Sequence, residues 1–216
     1  MDSTACSLSF GKKAPVNFEL YTVTVNPGFP GFITAQISEY LKKNLPDLNF
    51  ITENTNISEV MDKYITPGKS ICSFCSRLRR GVLYRISIEN NFNKIALGHH
   101  ADDFIETLLL NQFFNGCIKA MTPLLYSDDG KNTVIRPLCY VNEETIIDFI
   151  KTTDFPITEG KCPAKESDRN RVKIKNLIAE LSQEFPGIKS SILSSISSLD
   201  TRHLMDMRYW DDRESK

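Results

Sequence analysis

Lys94-Ile-Ala-Leu-Gly-His-His-Ala-Asp-Asp-Phe-Ile-Glu-Thr-Leu-Leu-Leu-Asn-Gln-Phe-Phe114 decides the fold. Its first five residues, Lys94–Gly98, read as a short apolar strand, and Asp102–Phe114 as a helix. In that helix Phe104 pairs with Leu108, and Ile105 with Leu109 and Phe113, at i, i+4 spacing. The loop Gly98–Asp103 therefore joins the carboxyl end of a strand to a helix N-terminus. In open α/β sheets ligands bind at such places, because the helix N–H groups face phosphate oxygens. Asp102 and Asp103 suit divalent-metal binding or acid–base work there. Equally, two acidic residues in a first turn complement the helix dipole. His99 and His100 have the same two readings, ligand contact or packed loop.

Working outward, strands alternate with helices. Ser3–Gly11 reads as a short helix, and Phe18–Val25 alternates with strand period before Asn26-Pro27-Gly28 breaks it. A helix over Ile33–Leu45, a strand over Asn49–Glu53 and a helix over Ile57–Ile65 follow. Cys72-Ser-Phe-Cys75 opens another helix, which runs on as the basic stretch Arg77–Asn90. Thr133–Arg136 reads as a strand ended by Pro137, and Asn142 is placed to cap a helix over Glu143–Thr152. Val172–Leu181 is helical, as is the segment whose apolar face carries Ile188, Ile192, Leu193, Ile196 and Leu199. The tail beyond Met205 is polar, with Trp210 as its one large anchor. Strands separated by helices imply an α/β fold with a parallel, Rossmann-like sheet. The expected organisation is one α/β domain over residues 1–155 and a small C-terminal helical extension over 156–216.

The chain has 216 residues and a formal net charge of −1, enough for one buried core but not a uniformly basic surface. RNA binding would need local patches. Two candidates exist: Arg77, Arg79, Arg80 and Arg85, and then Lys161, Lys165, Arg169, Arg171, Lys173 and Lys175; the plain alternative is a solvated helix face. No stretch reaches the roughly 18–20 apolar residues of a membrane span. The N-terminus lacks the features of a secretory signal, so the cytoplasm is expected. Asp2-Ser3 precedes the first expected helix, where side-chain oxygens can meet phosphate or its magnesium, although so short a motif recurs by chance.

In a cytosolic setting the six cysteines are not a disulfide framework. The C-x-x-C pair of Cys72 and Cys75 points to metal or redox chemistry, since a tight turn can place two thiolates on one ion. Buried small residues at a helix start are the alternative. Cys162, before Pro163, is a third candidate. Zinc and iron–sulfur sites both take four ligands, so three cysteines would leave one position open unless a histidine completed a zinc site. Cys6, Cys117 and Cys139 sit in apolar or helical runs and read as core or incidental residues.

Taken together, the chain resembles the tRNA 2-thiocytidine synthetase (TtcA) family of PP-loop ATP pyrophosphatases. The likeness runs over nearly the whole length. Its carriers are Cys72-Ser-Phe-Cys-Ser-Arg-Leu-Arg-Arg-Gly-Val-Leu-Tyr-Arg85, Ile95–Asp103 with Glu106-Thr-Leu108, Pro27-Gly-Phe-Pro30, Ser127-Asp-Asp-Gly-Lys131 and Ile135-Arg-Pro-Leu138. The resemblance implies that ATP adenylates the C2 oxygen of cytidine 32 in tRNA and that sulfide then displaces AMP. It implies a [4Fe-4S] cluster on Cys72, Cys75 and Cys162, and an open iron for the hydrosulfide. Asp103 falls at an acidic catalytic position and Arg79 at a basic one. Gly98 and His99, with Asp2 and Ser3, fall at nucleotide positions. Mg2+, a cysteine desulfurase or other sulfide donor, and a homodimer are implied as well.

One departure is plain. The family's phosphate loop reads S-G-G-x-D-S after a strand, and Met1-Asp2-Ser3 matches only its last three positions. Its glycines let backbone N–H groups approach pyrophosphate. The expectation is a start assigned inside the motif, with a longer natural protein; a truncated, catalytically impaired homologue is the alternative. Other rivals are a tRNA 2-thiouridine synthetase, a cluster-free PP-loop ligase, and a zinc- or RNA-binding relic.

Overall fold

Tyr21–Asn26 (β1) carries Thr22, Thr24 and Val25 as buried residues, so both faces of this strand are covered. In the computed structural model, residues 17–29, 34–64, 71–153, 155–156, 169–206 and 208 are described, Cys72 by its backbone alone. The expected helix at Ser3–Gly11 and Trp210 lie outside them. β1 pairs in parallel with β2 (Asn49–Asn54), in register from Tyr21 opposite Asn49 to Asn26 opposite Asn54. Parallel neighbours need a crossover. Here it contains α1 (Thr34–Asn44), which buries Ile37 and Leu41, one turn apart.

The carboxyl ends of β1 and β2 are tied by short-range bonds. The Thr55 amide donates to the Asn26 carbonyl at 3.0 Å, and the Gly28 amide to Asn26 Oδ1 at 3.0 Å. Gly28 adopts φ +81°, and a Cβ there would lie 2.8 Å from Ser58 Oγ, so both conformation and space call for glycine. Next come α2 (Ile57–Tyr64) and the long α3 (Ile71–Glu89). Ile57 and Met61 pack with Val25 into a core that Phe74, Cys75, Leu78 and Val82 of α3 cover. The C-x-x-C pair thus lies within the first turn and a half of α3, as its helix-opening position implied.

α3 packs on β1 and also on β3 (Ile95–Ala96), linking two sheets. The second sheet has the order β3-β5-β4, where β5 (Thr133–Ile135) is parallel to β3 and β4 (Leu124–Tyr126) is antiparallel to β5. β4 was not expected, because all three of its residues are exposed and show no burial alternation. The strand expected over Lys94–Gly98 shrinks to two residues, although the Leu97 amide still donates to the Ile135 carbonyl at 2.9 Å.

α4 (Ala101–Phe114) and α5 (Glu143–Lys151) follow, then α6 (Arg169–Glu184), α7 (Ile188–Ser195) and a 3-10 turn at Thr201–His203. α4 buries Phe104, Ile105 and Leu108 as its periodicity required, but Phe113 is 57 % exposed, so the apolar stripe outruns the core. Ile105 meets Ile174 and Ile178 of α6, with Leu109, Leu110, Ile192 and Leu193 around them. This second core fixes the C-terminal helices beside the Gly98–Asp103 loop. Truncating Ile105 to Ala leaves a cavity and is expected to cost about 2–5 kcal/mol in urea unfolding, whereas Phe113→Ala should stay within about 0.5 kcal/mol.

Candidate functional site

The loop from Gly98 to Asp103 leaves β3 and enters α4 under three restraints. The Ala101 amide donates to the Val141 carbonyl at 2.9 Å. The His100 amide donates to Asp103 Oδ2 at 3.1 Å, folding the third residue of the helix back on its cap. The third restraint is Asp102, whose side chain is 9 % exposed. Its Oδ2 accepts the Glu143 amide at 2.7 Å and its Oδ1 faces Lys189 Nζ at 2.9 Å.

Asp102 therefore does the capping expected of Asn142. Asn142 occupies the N-cap of α5, but its side chain makes no capping bond. Both Asp102 oxygens are thus engaged, one by a backbone amide and one by an ammonium. Burial alone would raise its carboxyl, but His100, the Glu143 amide and Lys189 together hold it far below the ordinary carboxylate range. The His100 ring lies between the two aspartates, Nδ1 3.7 Å from Asp102 and Nε2 3.4 Å from Asp103. Although burial opposes its charge, the surrounding carboxylates raise the His100 pKa.

Asp103 keeps more access, with its side chain 21 % exposed. Its Oδ1 faces Arg171 Nη2 of α6 at 3.6 Å, and the same guanidinium donates from Nε to Glu106 Oε2 at 2.7 Å. Glu106 is pushed up by burial, against the pull of Arg171. A half-buried cation thus bridges the loop aspartate and a buried glutamate one turn further on.

His99 has a different setting. Its Nδ1 accepts from Arg136 Nε at 3.3 Å, and Arg136 Nη1 donates to the Thr122 carbonyl at 2.5 Å. Burial lowers the His99 pKa to about 4; Asp103 opposes, while Arg136, Arg171 and Arg80 add to the lowering. The ring is neutral at physiological pH.

The structure brings Gly98, His99 and Asp103 together, and Arg80 of α3 lies near enough to act on His99. Arg79 is exposed on the same helix. Cys75 is partly buried against the first core. Asp2, Ser3 and Cys162 lie outside the described residues, as does the side chain of Cys72. Among the described residues no three His, Cys, Asp or Glu side chains gather as metal ligands. An open groove at the carboxyl end of β2 is lined by Asn54, Thr55, Ile57, Val82 and Arg85, with Arg85 paired to Glu53 at 2.5 Å. Lys189 and Arg171 could not be read as partners of the loop from sequence, since long-range pairing leaves no local signal. Arg136 stood only as part of Ile135-Arg-Pro-Leu138.

Comparison with known proteins places this geometry. A family model described as a PP-loop domain matches residues 49–181, more than half of the chain, so the fold and loop are those of a PP-loop protein. Curated relatives narrow this. The tRNA-cytidine(32) 2-sulfurtransferase of Syntrophotalea carbinolica is 41 % identical over 201 residues, covering 92 % of this chain and 76 % of its own. Those of Geobacter metallireducens and Geotalea uraniireducens are 43 % and 44 % identical, covering 90 % and 91 % of this chain and 76 % and 78 % of theirs. The chain belongs to the tRNA-cytidine(32) 2-sulfurtransferase (TtcA) family. Among solved structures, the U34-tRNA thiolase NcsA from Methanococcus maripaludis with its [4Fe-4S] cluster matches with a TM-score of 0.71 and 25 % identity. That match covers 91 % of this chain and 68 % of the thiolase.

The Asp102 network has a pH signature. A carboxyl held below its unfolded value of about 3.9 contributes stability above that pH and loses it as pH falls through the folded value. Asp102→Asn is expected to cost about 1–3 kcal/mol at neutral pH, since it removes the 2.9 Å ion pair with the partly buried Lys189 and leaves that ammonium only Glu144 at 3.5 Å. Urea titrations should show the gap between wild type and variant closing as pH falls well below about 4, where the wild-type carboxyl also protonates.

Proposed function

We propose that the chain is an ATP-dependent tRNA sulfurtransferase that converts a cytidine, at position 32, to 2-thiocytidine. The observation that carries this reading is the 41–44 % identity, over nine-tenths of the chain, to proteins named for that reaction. The cytidine C2 oxygen attacks the α-phosphorus of ATP, the bond to pyrophosphate breaks, and attack of sulfide at C2 then expels AMP. Gly98 and His99 lie at the carboxyl end of β3, where a nucleotide is expected, and Asp2 and Ser3 hold the last positions of the phosphate-loop pattern. ATP is expected to bring Mg2+ with it.

Asp103 has the exposure and the local charge for proton transfer at the activated base, and Arg79 projects from the helix that the C-x-x-C opens. In this reading Arg79 stabilises charge that develops on the base and its leaving phosphate. Three thiolates, from Cys72, Cys75 and Cys162, suit a [4Fe-4S] cluster better than a closed four-ligand zinc site. Cys72 and Cys75 are three apart at the head of α3, a sequence spacing that suits two ligands of one cluster. Such a cluster supplies an iron without a protein ligand, on which sulfide can be carried. Residues 156–216 are the helical extension that brings in Cys162, and a cysteine desulfurase or another sulfide donor supplies the sulfur. The protein is expected to act as a homodimer in the cytoplasm; among the described residues no helix is long and apolar enough to cross a membrane.

Nucleoside analysis of tRNA from a strain lacking the gene tests the base: loss of 2-thiocytidine supports the reading, and loss of a 2-thiouridine alone overturns it. Anaerobically purified wild type should carry iron and acid-labile sulfide, and Cys75→Ser and Cys162→Ala should lose both iron and thiolation. Asp103→Asn should retain the iron and lower the thiolation rate by about 10²–10⁴.

A further inference from the structure

Arg136 is 7 % exposed and has no carboxylate within ion-pair distance among the described residues. A guanidinium removed from water without a counter-charge is costly, and burial with the nearby Arg80 lowers its pKa. Its two hydrogen bonds go to neutral acceptors, the Thr122 carbonyl and His99 Nδ1. A ring whose Nδ1 accepts must carry its proton on Nε2 when neutral. His99 Nε2 makes no hydrogen bond with any described residue.

We propose that Arg136 is a positioning residue that locks His99 as the Nε2–H tautomer, so that a neutral imidazole donates to a phosphate oxygen of a nucleotide bound at the Gly98–Asp103 loop. The inference rests on the nucleotide reading of that loop and adds a partner to it. Neutrality matters because of the neighbour. A protonated His99 would be drawn to Asp103, whose charge favours its protonation, and would quench the proposed base. Burial together with Arg136, Arg171 of α6 and Arg80 of α3 outweighs that pull. His99 then offers a donor to the phosphate without taking a proton from Asp103.

Nitrogen-15 NMR of the imidazoles in the full chain tests the lock directly. With three histidines in the chain, loss of one signal set in His99→Gln assigns the residue. Wild-type His99 should be Nε2–H and stay neutral from pH 8 to pH 5, while Arg136→Met should show mixed tautomers and titrate closer to the ordinary value of about 6.5. A wild-type Nδ1–H tautomer, or titration of wild type near about 6.5, overturns the proposal even if Arg136→Met does not fold. An unchanged tautomer in a folded Arg136→Met also overturns it. Calorimetry with ATP tests the purpose. His99→Phe should weaken ATP about tenfold, the worth of one charge-assisted hydrogen bond. His99→Gln should keep most of the affinity, because its amide N–H stands where Nε2–H does. A His99→Gln variant as weak as His99→Phe, or a folded His99→Phe that binds ATP as wild type does, overturns the donor role. Failure of wild type to bind ATP removes the nucleotide reading and the donor role with it, while the tautomer spectrum still decides what Arg136 does.

Discussion

A carboxylate cannot stay ionised in a protein interior unless its oxygens are matched, and the arrangement around the site follows from how Asp102 is matched. One oxygen takes the first free amide of α5, and the other takes the ammonium of Lys189 on α7. Asp102 itself stands in the first turn of α4. Three helices far apart in sequence thus meet at one buried charge. The apolar contacts of Ile105 with Ile174 and Ile178 supply most of the burial, but they are tolerant of sliding. The polar contacts are not, because a shift of an ångström would leave a buried group unsatisfied.

Fixing Asp102 in this way separates two neighbours of identical chemistry. Asp102 is spent on structure, whereas Asp103 is the more exposed of the two, with Arg171 facing its Oδ1 at 3.6 Å rather than closing over it. Glu106 holds that arginine from the other side at 2.7 Å. The consecutive histidines divide in the same manner. His100 lies between the aspartates and is pushed toward its charged form; His99 faces cations and is pushed toward its neutral form. A loop of six residues therefore holds one partly exposed carboxylate and one neutral imidazole, and buries their counterparts.

Much of this was legible in the sequence and part was not, for definite reasons. Helical runs bounded by breakers and caps placed α1, α3 and α4 within a residue or two, and the β-branched run placed β1 within three. β4 carried no burial alternation, so only its pairing with β5 defines it. The strand–loop–helix at Gly98–Asp103 marked the site, but the choice between Asp102 and Asp103 depended on partners 41 and 87 residues downstream, Glu143 and Lys189. Local sequence carries no trace of such pairings. Arg136 shows the same limit: a landmark arginine could be recognised, but not that its partner is an imidazole nitrogen rather than a carboxylate.

α3 adds a constraint of distance. A single uninterrupted helix carries the C-x-x-C at its head, Arg79 and Arg80 in its middle and Arg85 near its end. A rise of about 1.5 Å per residue puts Arg79 roughly 6 Å along the axis from Cys75. The helix contains no proline and packs on β1 through Val82 and Leu78, so this offset cannot flex without disturbing the first core. In the proposed reaction the sulfur carrier and the activated base must come within bonding distance, yet the nucleotide loop belongs to the other sheet. Because α3 also packs on β3, the rod that holds the cysteines is seated on the strand that delivers His99 and Asp103. The two halves of the chemistry are thereby set relative to one another by a helix rather than by a loop, and a rigid element suits a transfer that depends on close approach.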